Sequence, residues 1–286
     1  LVTAAAWTDT NGDGLQDLVV VGEWMPITLF EQVNGRFAKK DQLTNSTGWY
    51  YQVVAEDFDN DGDEDLVVGN LGLNYKYKAS LDAPFEIYYD DFDDNGKYDI
   101  VLSYYEHGET YPVRGKSCST QQIPDISVQF PTYESFGEAN LREIYGEGLD
   151  QAVHYQAVTF ASAYIENKGL GNFEIRPLSN EAQISNINNI LAEDFDGDQH
   201  IDLLVSGNLY ASEIETPRND AGMGLFMKGD GKGNFTPIPL LESGFFAPHD
   251  SKDMKMIYLG RQKSPAVLVA NNQYYLQAIA IQSKAM

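Results

Sequence analysis

The stretch DFDNDGDEDLVVGN, residues 57–70, places carboxylates at positions 1, 3, 5 and 9 of a nine-residue run and a glycine at position 6. A segment rich in Val and Tyr, YYQVVAE (50–56), leads into it, and LVVG leads out. Such runs, bounded by Gly, Asn and Asp, are strand signals, so the acidic run reads as a turn between two β-strands. Three further runs align with it without gaps: DTNGDGLQD (9–17), DFDDNGKYD (91–99) and DFDGDQHID (194–202). Each is flanked in the same way, by AAAW and LVVVG, by FEIYYD and IVLSYY, and by NILAE and LLVSGN.

A second recurring piece lies downstream. ITLFEQVNGRFAKKD (27–41), SAYIENKGLGNFEIRPL (162–178) and GLFMKGDGKGNFTPIPL (224–240) each read strand, Gly/Asn turn, aromatic, strand. That is a β-hairpin with its turn chemistry in place. One unit is therefore strand, acidic loop, strand, connection, strand, turn, strand. Repeated four-stranded antiparallel units predict an all-β chain, a β-propeller of about five to seven blades, with 1–286 forming a single propeller domain or a propeller fragment. The loops start at 9, 57, 91 and 194, and the widest gap holds residues 116–150, which break the β pattern. This stretch reads as a partly helical insertion over one face, with a short helix within 135–148, where Ala, Leu, Arg and Glu gather. A degenerate unit closes the chain over 256–281, with GRQKSP (260–265) in place of an acidic loop, so no metal is expected there. The chain opens at Leu1 inside the repeating pattern, which reads as a piece of a longer protein.

Oxygen ligands at positions 1, 3, 5 and 9, with the backbone carbonyl of position 7, can surround one hard cation. Calcium takes about six to eight oxygens at about 2.3–2.6 Å in flexible geometry; magnesium demands a tighter octahedron, and zinc prefers His and Cys. The expected ligands of up to four Ca2+ ions are Asp9, Asn11, Asp13 and Asp17, then Asp57, Asp59, Asp61 and Asp65. The third set is Asp91, Asp93, Asn95 and Asp99, and the fourth Asp194, Asp196, Asp198 and Asp202. Leu15, Asp63, Lys97 and His200 would offer only their carbonyls. Gly14, Gly62 and Gly96 at position 6 permit a sharp left-handed turn. The EF-hand shares the opening spacing but needs an acid at position 12. Val20, Val68, Leu102 and Val205 stand there, inside strands, which excludes it. The fourth loop departs from the pattern, with Gly197 at position 4 and Gln199 at the turn position.

Composition agrees with cation binding. The 43 acidic residues against 19 basic give a formal charge of −24, which repels nucleic acids and anionic membranes. Four calcium ions would bring that charge to −16. Cys118 is the sole cysteine, so no internal disulfide can form and bound metal is the expected staple. No apolar run approaches the roughly 18 residues of a membrane span.

The acidic loop followed by LVVGN resembles the FG-GAP/VCBS repeat carried by integrin α-subunit propellers and many bacterial surface proteins. The match is best at 57–70 and 9–22 and good at 194–208. With the closing VANNQYYLQ (269–277), the pattern is similar to Bacteroidetes surface VCBS-repeat proteins related to cartilage acidic protein. The resemblance implies a calcium-bearing propeller outside the cytoplasm, serving binding or adhesion. The departures at Gly197 and Gln199 and the missing fifth loop put those two sites outside the pattern.

No catalytic arrangement stands out. His107, His154, His200 and His249 are scattered, and neither H-E-x-x-H nor G-x-S-x-G occurs. Gly115, Lys116 and Ser117 lack the preceding glycine of a phosphate loop. Glu143, Glu147 and Asp150 in the inserted stretch leave a glycosidase-like pair as the alternative, a polysaccharide-processing enzyme built on a propeller. The leading expectation is a non-catalytic scaffold, extracytoplasmic, binding a protein or glycan partner. The inserted stretch, with Ile123, Phe130, Tyr133, Phe136 and Tyr145, is expected to present that partner's surface.

Overall fold

The computed structural model describes residues 1–282 apart from Leu170, 213–215 and the side chain of Asp41. Leu170, in the turn of the second expected hairpin, thus lies outside the described residues. The chain divides into two compact units, one of 1–76 with 160–286 and the other of 77–159.

In the first unit, β1 (Val2–Thr8), β2 (Asp17–Met25), β3 (Thr28–Val33) and β4 (Arg36–Gln42) form one antiparallel sheet in that order, and β5 (Gly48–Trp49) pairs with the far end of β2. The second sheet begins with β6 (Gln52–Glu56) and β7 (Asp65–Gly69). The chain then leaves it for the second unit, with β8 (Phe85–Asp90), β9 (Asp99–Glu106), β10 (Glu109–Pro112), helical segments and β11 (Val153–Ala157). It returns at β12 (Ala163–Asn167) and β13 (Phe173–Pro177) to complete the second sheet in the order β6-β7-β12-β13. A third sheet follows in chain order: β14 (Asn189–Glu193), β15 (Asp202–Ser206), β16 (Leu225–Gly229) and β17 (Phe235–Ile238). The last has three strands, β18 (Ser251–Leu259), β19 (Ser264–Asn271) and β20 (Gln277–Ala280). First strands pack in series, β1 on β6, β6 on β14 and β14 on β18. These are propeller-like blades, four of them in this unit among the described residues.

In the second and third sheets the second strands read as unbroken apolar runs because both faces of the sheet are covered. Period-two alternation divides the side chains. Leu66, Val68 and Ile165 pack with Val19 and Val21 of the first sheet, whereas Val67 and Tyr164 pack with Ile190, Leu203 and Val205 of the third. Leu204 turns the other way, onto Val267 and Val269 of the last sheet. Each fully buried Val or Leu stabilises by about 1.5–3 kcal/mol. The glycine closing the LVVG run has a steric reason, since a Cβ on Gly69 would stand 2.3 Å from the Ile187 carbonyl oxygen.

The second unit corrects the expected boundary of the insertion. Its sheet runs β10-β9-β8-β11, so the strand that completes it pairs back onto β8. The whole unit, third acidic loop included, interrupts the second blade between β7 and β12, which explains the uneven loop spacing. Helices α1 (Lys116–Gln122), α2 (Ile126–Gln129), α3 (Tyr133–Gly137) and α4 (Leu141–Tyr145) and a 3-10 turn (Gly146–Asp150) connect β10 to β11. Thr132 and Asn140 cap α3 and α4 with reciprocal capping boxes. The expectation of an offered surface fails for most of its residues. Ile123, Ile126, Phe136 and Ile144 form a buried cluster with Phe92, Phe130 and Tyr145 against it, and Leu141 and Leu149 close over Val101. Tyr133 alone of the five named residues is exposed, at 72%.

Candidate metal centres

All four acidic loops fold by the same wiring. The position-1 carboxylate accepts backbone N–H groups from positions 5 and 6: Asp13 (3.2 Å) and Gly14 (2.7 Å) donate to Asp9, Asp61 and Gly62 (both 3.2 Å) to Asp57. Asn95 (2.9 Å) and Gly96 (2.7 Å) donate to Asp91, and Asp198 (3.1 Å) and Gln199 (2.9 Å) to Asp194. The position-3 side chains, Asn11, Asp59, Asp93 and Asp196, each accept the position-5 N–H through Oδ1. Oδ1 of Asp13, Asp61, Asn95 and Asp198 accepts in turn the N–H of Leu15, Asp63, Lys97 and His200. Such Asx turns explain why Asp and Asn recur at these positions. They leave Oδ2 of the position-3 and position-5 aspartates for other partners.

Two left-handed residues bend each loop. Position 6 is one, with Gly14, Gly62 and Gly96 at φ 82°, 97° and 80°. Gln199 holds the same conformation at φ 73°, so the fourth loop keeps the turn despite its exchange. Position 4 is the other, occupied by Gly12, Asn60, Asp94 and Gly197 at φ 76°, 63°, 54° and 82°. The expectation missed this second position, although Gly, Asn and Asp are the residues that tolerate it.

The position-9 aspartate is the buried anchor. Asp17, Asp65 and Asp202 are 0% exposed and Asp99 4%. In the first unit the third strand of each sheet clamps it: the N–H groups of Gln32, Asn167 and Gly229 donate to Oδ1 of Asp17, Asp65 and Asp202 at 2.8, 2.8 and 2.9 Å. The Tyr164 hydroxyl adds a 2.7 Å bond to Asp65. Burial nevertheless pushes the Asp65 carboxyl up to about 6, and it raises Asp99 and Asp202 as well. Burial and the neighbouring Asp61 charge raise Asp59. At Asp9 burial pulls upward, but the N–H groups of Gly14, Gly12, Asn11 and Asp13 outweigh it and lower the carboxyl. Carboxylates held so close resist ionising together, and a cation relieves that strain.

Three of the loops bring acidic oxygens within 4.8 Å of one another: Asp57, Asp59 and Asp61; Asp91, Asp93 and Asp99; and Asp194, Asp196 and Asp202. The first loop forms no such trio among the described residues, and its third position is the neutral Asn11. The donors are all oxygens, at separations that ligands about 2.3–2.6 Å from one ion can span. They fit a hard divalent cation. Neighbouring segments brace the second loop, where Asn60 Nδ2 donates to the Gly231 carbonyl (3.2 Å) and the Asp9 N–H donates to Glu64 (3.3 Å).

Residues 9–68 match the family described as FG-GAP-like repeat. The chain carries an FG-GAP-like repeat there. The matched span runs from the first acidic loop through β2, β3 and β4 and the second loop to Val68 in β7. No curated protein matches the chain. No helix among its described residues is long and apolar enough to cross a membrane.

Two of the three acids named in the inserted stretch are occupied locally. Glu143 accepts the Asn140 N–H (2.9 Å) in the α4 capping box, and Asp150 is gripped by Arg142 at 2.6 Å. In the second unit His154 Nε2 lies 3.0 Å from Glu86, whose other oxygen accepts the Ser103 hydroxyl (3.2 Å). Ser103 is 0% exposed, so this chain of hydrogen bonds offers no nucleophile to solvent.

Proposed function

We propose that the chain is a non-catalytic scaffold working outside the cytoplasm, stapled by Ca2+ at one end of its sheets and offering its connections at the other end to a protein or glycan. The shared wiring of the four loops carries the calcium half of this reading. Each loop uses backbone N–H groups to fix its carboxylates side by side, an arrangement unfavourable without a cation and matched to calcium's oxygen preference. Bound calcium would supply charge neutralisation and cross-link the first two strands of a blade wherever an acidic loop holds it.

Antiparallel strand order puts the second-to-third connections at the end opposite the acidic loops. In the first unit, Tyr210, Arg218, Asn272 and Tyr274 of such connections, with His249 from the segment leading into β18, line a cleft of about 400 Å³. Tyr274 and Tyr275 are 55% and 79% exposed, and rings of this kind stack on sugars or anchor protein interfaces. Thermal melting tests the staple. At tenfold excess of calcium over Kd, each occupied site adds about 1.4 kcal/mol, so EGTA should lower the melting temperature by several degrees. Identical curves in calcium and EGTA would sink this reading.

A further inference from the structure

We propose that Lys228 takes the place of a metal ion in the fourth loop, an inference that rests on the calcium reading of the other loops. The third strands of the first unit are in equivalent register, because Gln32, Asn167 and Gly229 each clamp a position-9 aspartate. The residues just before them are Glu31, Glu166 and Lys228. Glu31 accepts a 2.6 Å hydrogen bond from Asn11, the charge of Glu166 acts on Asp59, and Lys228 Nζ bonds to Asp196. Asn11, Asp59 and Asp196 are all third positions. One slot therefore faces the third position of three loops, and it holds a carboxylate twice and an ammonium once.

The ammonium occupies the oxygens an ion would need. Oδ1 of Asp196 and of Asp198 already accept backbone N–H groups, from Asp198 and His200. Lys228 Nζ takes the remaining oxygens, bonding to Oδ2 of Asp196 and lying 2.7 Å from Oδ2 of Asp198. The basic residues near the other two loops sit elsewhere: Lys40 pairs with Glu31 at 2.7 Å, and Lys168 and Arg176 pair with Glu166. Those loops keep their acidic oxygens for a cation and have a further carboxylate beside them. In the fourth loop calcium must first displace a cation tethered to the same sheet. The fourth loop is thus the metal-independent member of the set, its turn retained by Gln199 and its charge met from within.

Native mass spectrometry of the full chain in millimolar calcium tests this. Lys228→Met keeps the aliphatic stem and removes the charge; Lys228→Arg keeps the charge and serves as the control for folding. Wild type and Lys228→Arg should carry the same number of ions, Lys228→Met one more, and Lys228→Met with Asp194→Asn should lose the extra ion again. In EGTA, Lys228→Met should melt below wild type. Equal, non-zero counts in wild type and Lys228→Met would overturn the role of Lys228 while leaving the calcium reading of the other loops intact. No ions on any of the proteins would overturn that reading itself.

Discussion

The second and third acidic loops share a nine-residue frame and the same internal hydrogen bonds, yet their ninth-position carboxylates are held by different parts of the chain. Asp65 is clamped by β12, through the Asn167 N–H and the Tyr164 hydroxyl, although some hundred residues of sequence separate them. Asp99 accepts the N–H of Phe92 in its own loop (3.1 Å), and Gln122 of α1, whose side chain donates to the adjacent Ile100 carbonyl (3.2 Å), draws the Asp99 carboxyl downward against its burial. In the second unit β10 pairs with the far end of β9, at residues 103–106, and so does not reach Asp99. The loop is therefore a self-contained backbone device, while the support beneath its anchor depends on which element the surrounding fold supplies. A strand serves in one case and a helical segment in the other.

The severest test of that contrast removes the helical support. Replacing residues 116–150 with a Gly/Ser linker deletes Ile123, Ile126, Phe136, Leu141, Ile144 and Leu149 from the core of the second unit. At about 1.5–3 kcal/mol per buried side chain, the loss rivals the roughly 5–15 kcal/mol by which a whole domain is stable. Hydrogen exchange should show β8 and β9 unprotected in this variant while β7, β12 and β15 stay protected. Retained protection of β8 and β9 would mean that the sheet stands without its helices, and that the third loop is as independent as its internal wiring.

A smaller effect separates the anchors by pH. The Asp65 carboxyl is raised from 3.8 to about 6 by burial. Below the lower value the group is protonated in both folded and unfolded chains and has no net effect. Between the two values only the unfolded chain releases its proton, so the contribution of Asp65 to stability falls as pH rises and is flat above about 6. Urea unfolding of the first unit in EGTA should show that decline over about pH 4–6, and Asp65→Asn should remove it whatever its baseline stability. An unchanged slope in Asp65→Asn would assign the pH dependence to other carboxylates.

Much of this was legible in the sequence because it is local. The strands about each loop, the hairpins at 27–41 and 224–240 and the absence of an acidic loop at 260–265 all follow from patterns a few residues long. What escaped was pairing at a distance. Nothing near Gly69 announces that its sheet resumes at Ala163, and apolar residues such as Ile123 and Phe136 read alike whether they line a core or an offered surface. Lys228 was hidden for the same reason, because its partners Asp196 and Asp198 lie on another strand's loop. Asn70 and Asn208 looked like strand-end punctuation but are fully buried, tying the connections by hydrogen bonds to Ala161 and to Gly222 and Pro248.

The finest difference between the two loops lies at position 4, where both chains turn left-handed on a residue that carries a Cβ. Asn60 has φ 63° and Asp94 φ 54°. Glycine adopts this conformation without the Cβ penalty, so Asp94→Gly should stabilise the second unit by about 0.5–1 kcal/mol, reduced by the extra entropy glycine has when unfolded. It also takes one negative charge from a crowded loop. Asn60→Gly gains the same backbone relief but loses the bond from Asn60 Nδ2 to the Gly231 carbonyl, a contact to the hairpin of the next sheet. An ordinary hydrogen bond contributes about 0.5–1.5 kcal/mol, enough to cancel or reverse the gain. Chemical denaturation in EGTA should therefore show Asp94→Gly more stable than wild type and Asn60→Gly equal to it or weaker. If both substitutions stabilise alike, the Gly231 contact contributes nothing, and the second loop is no better braced by its neighbours than the third.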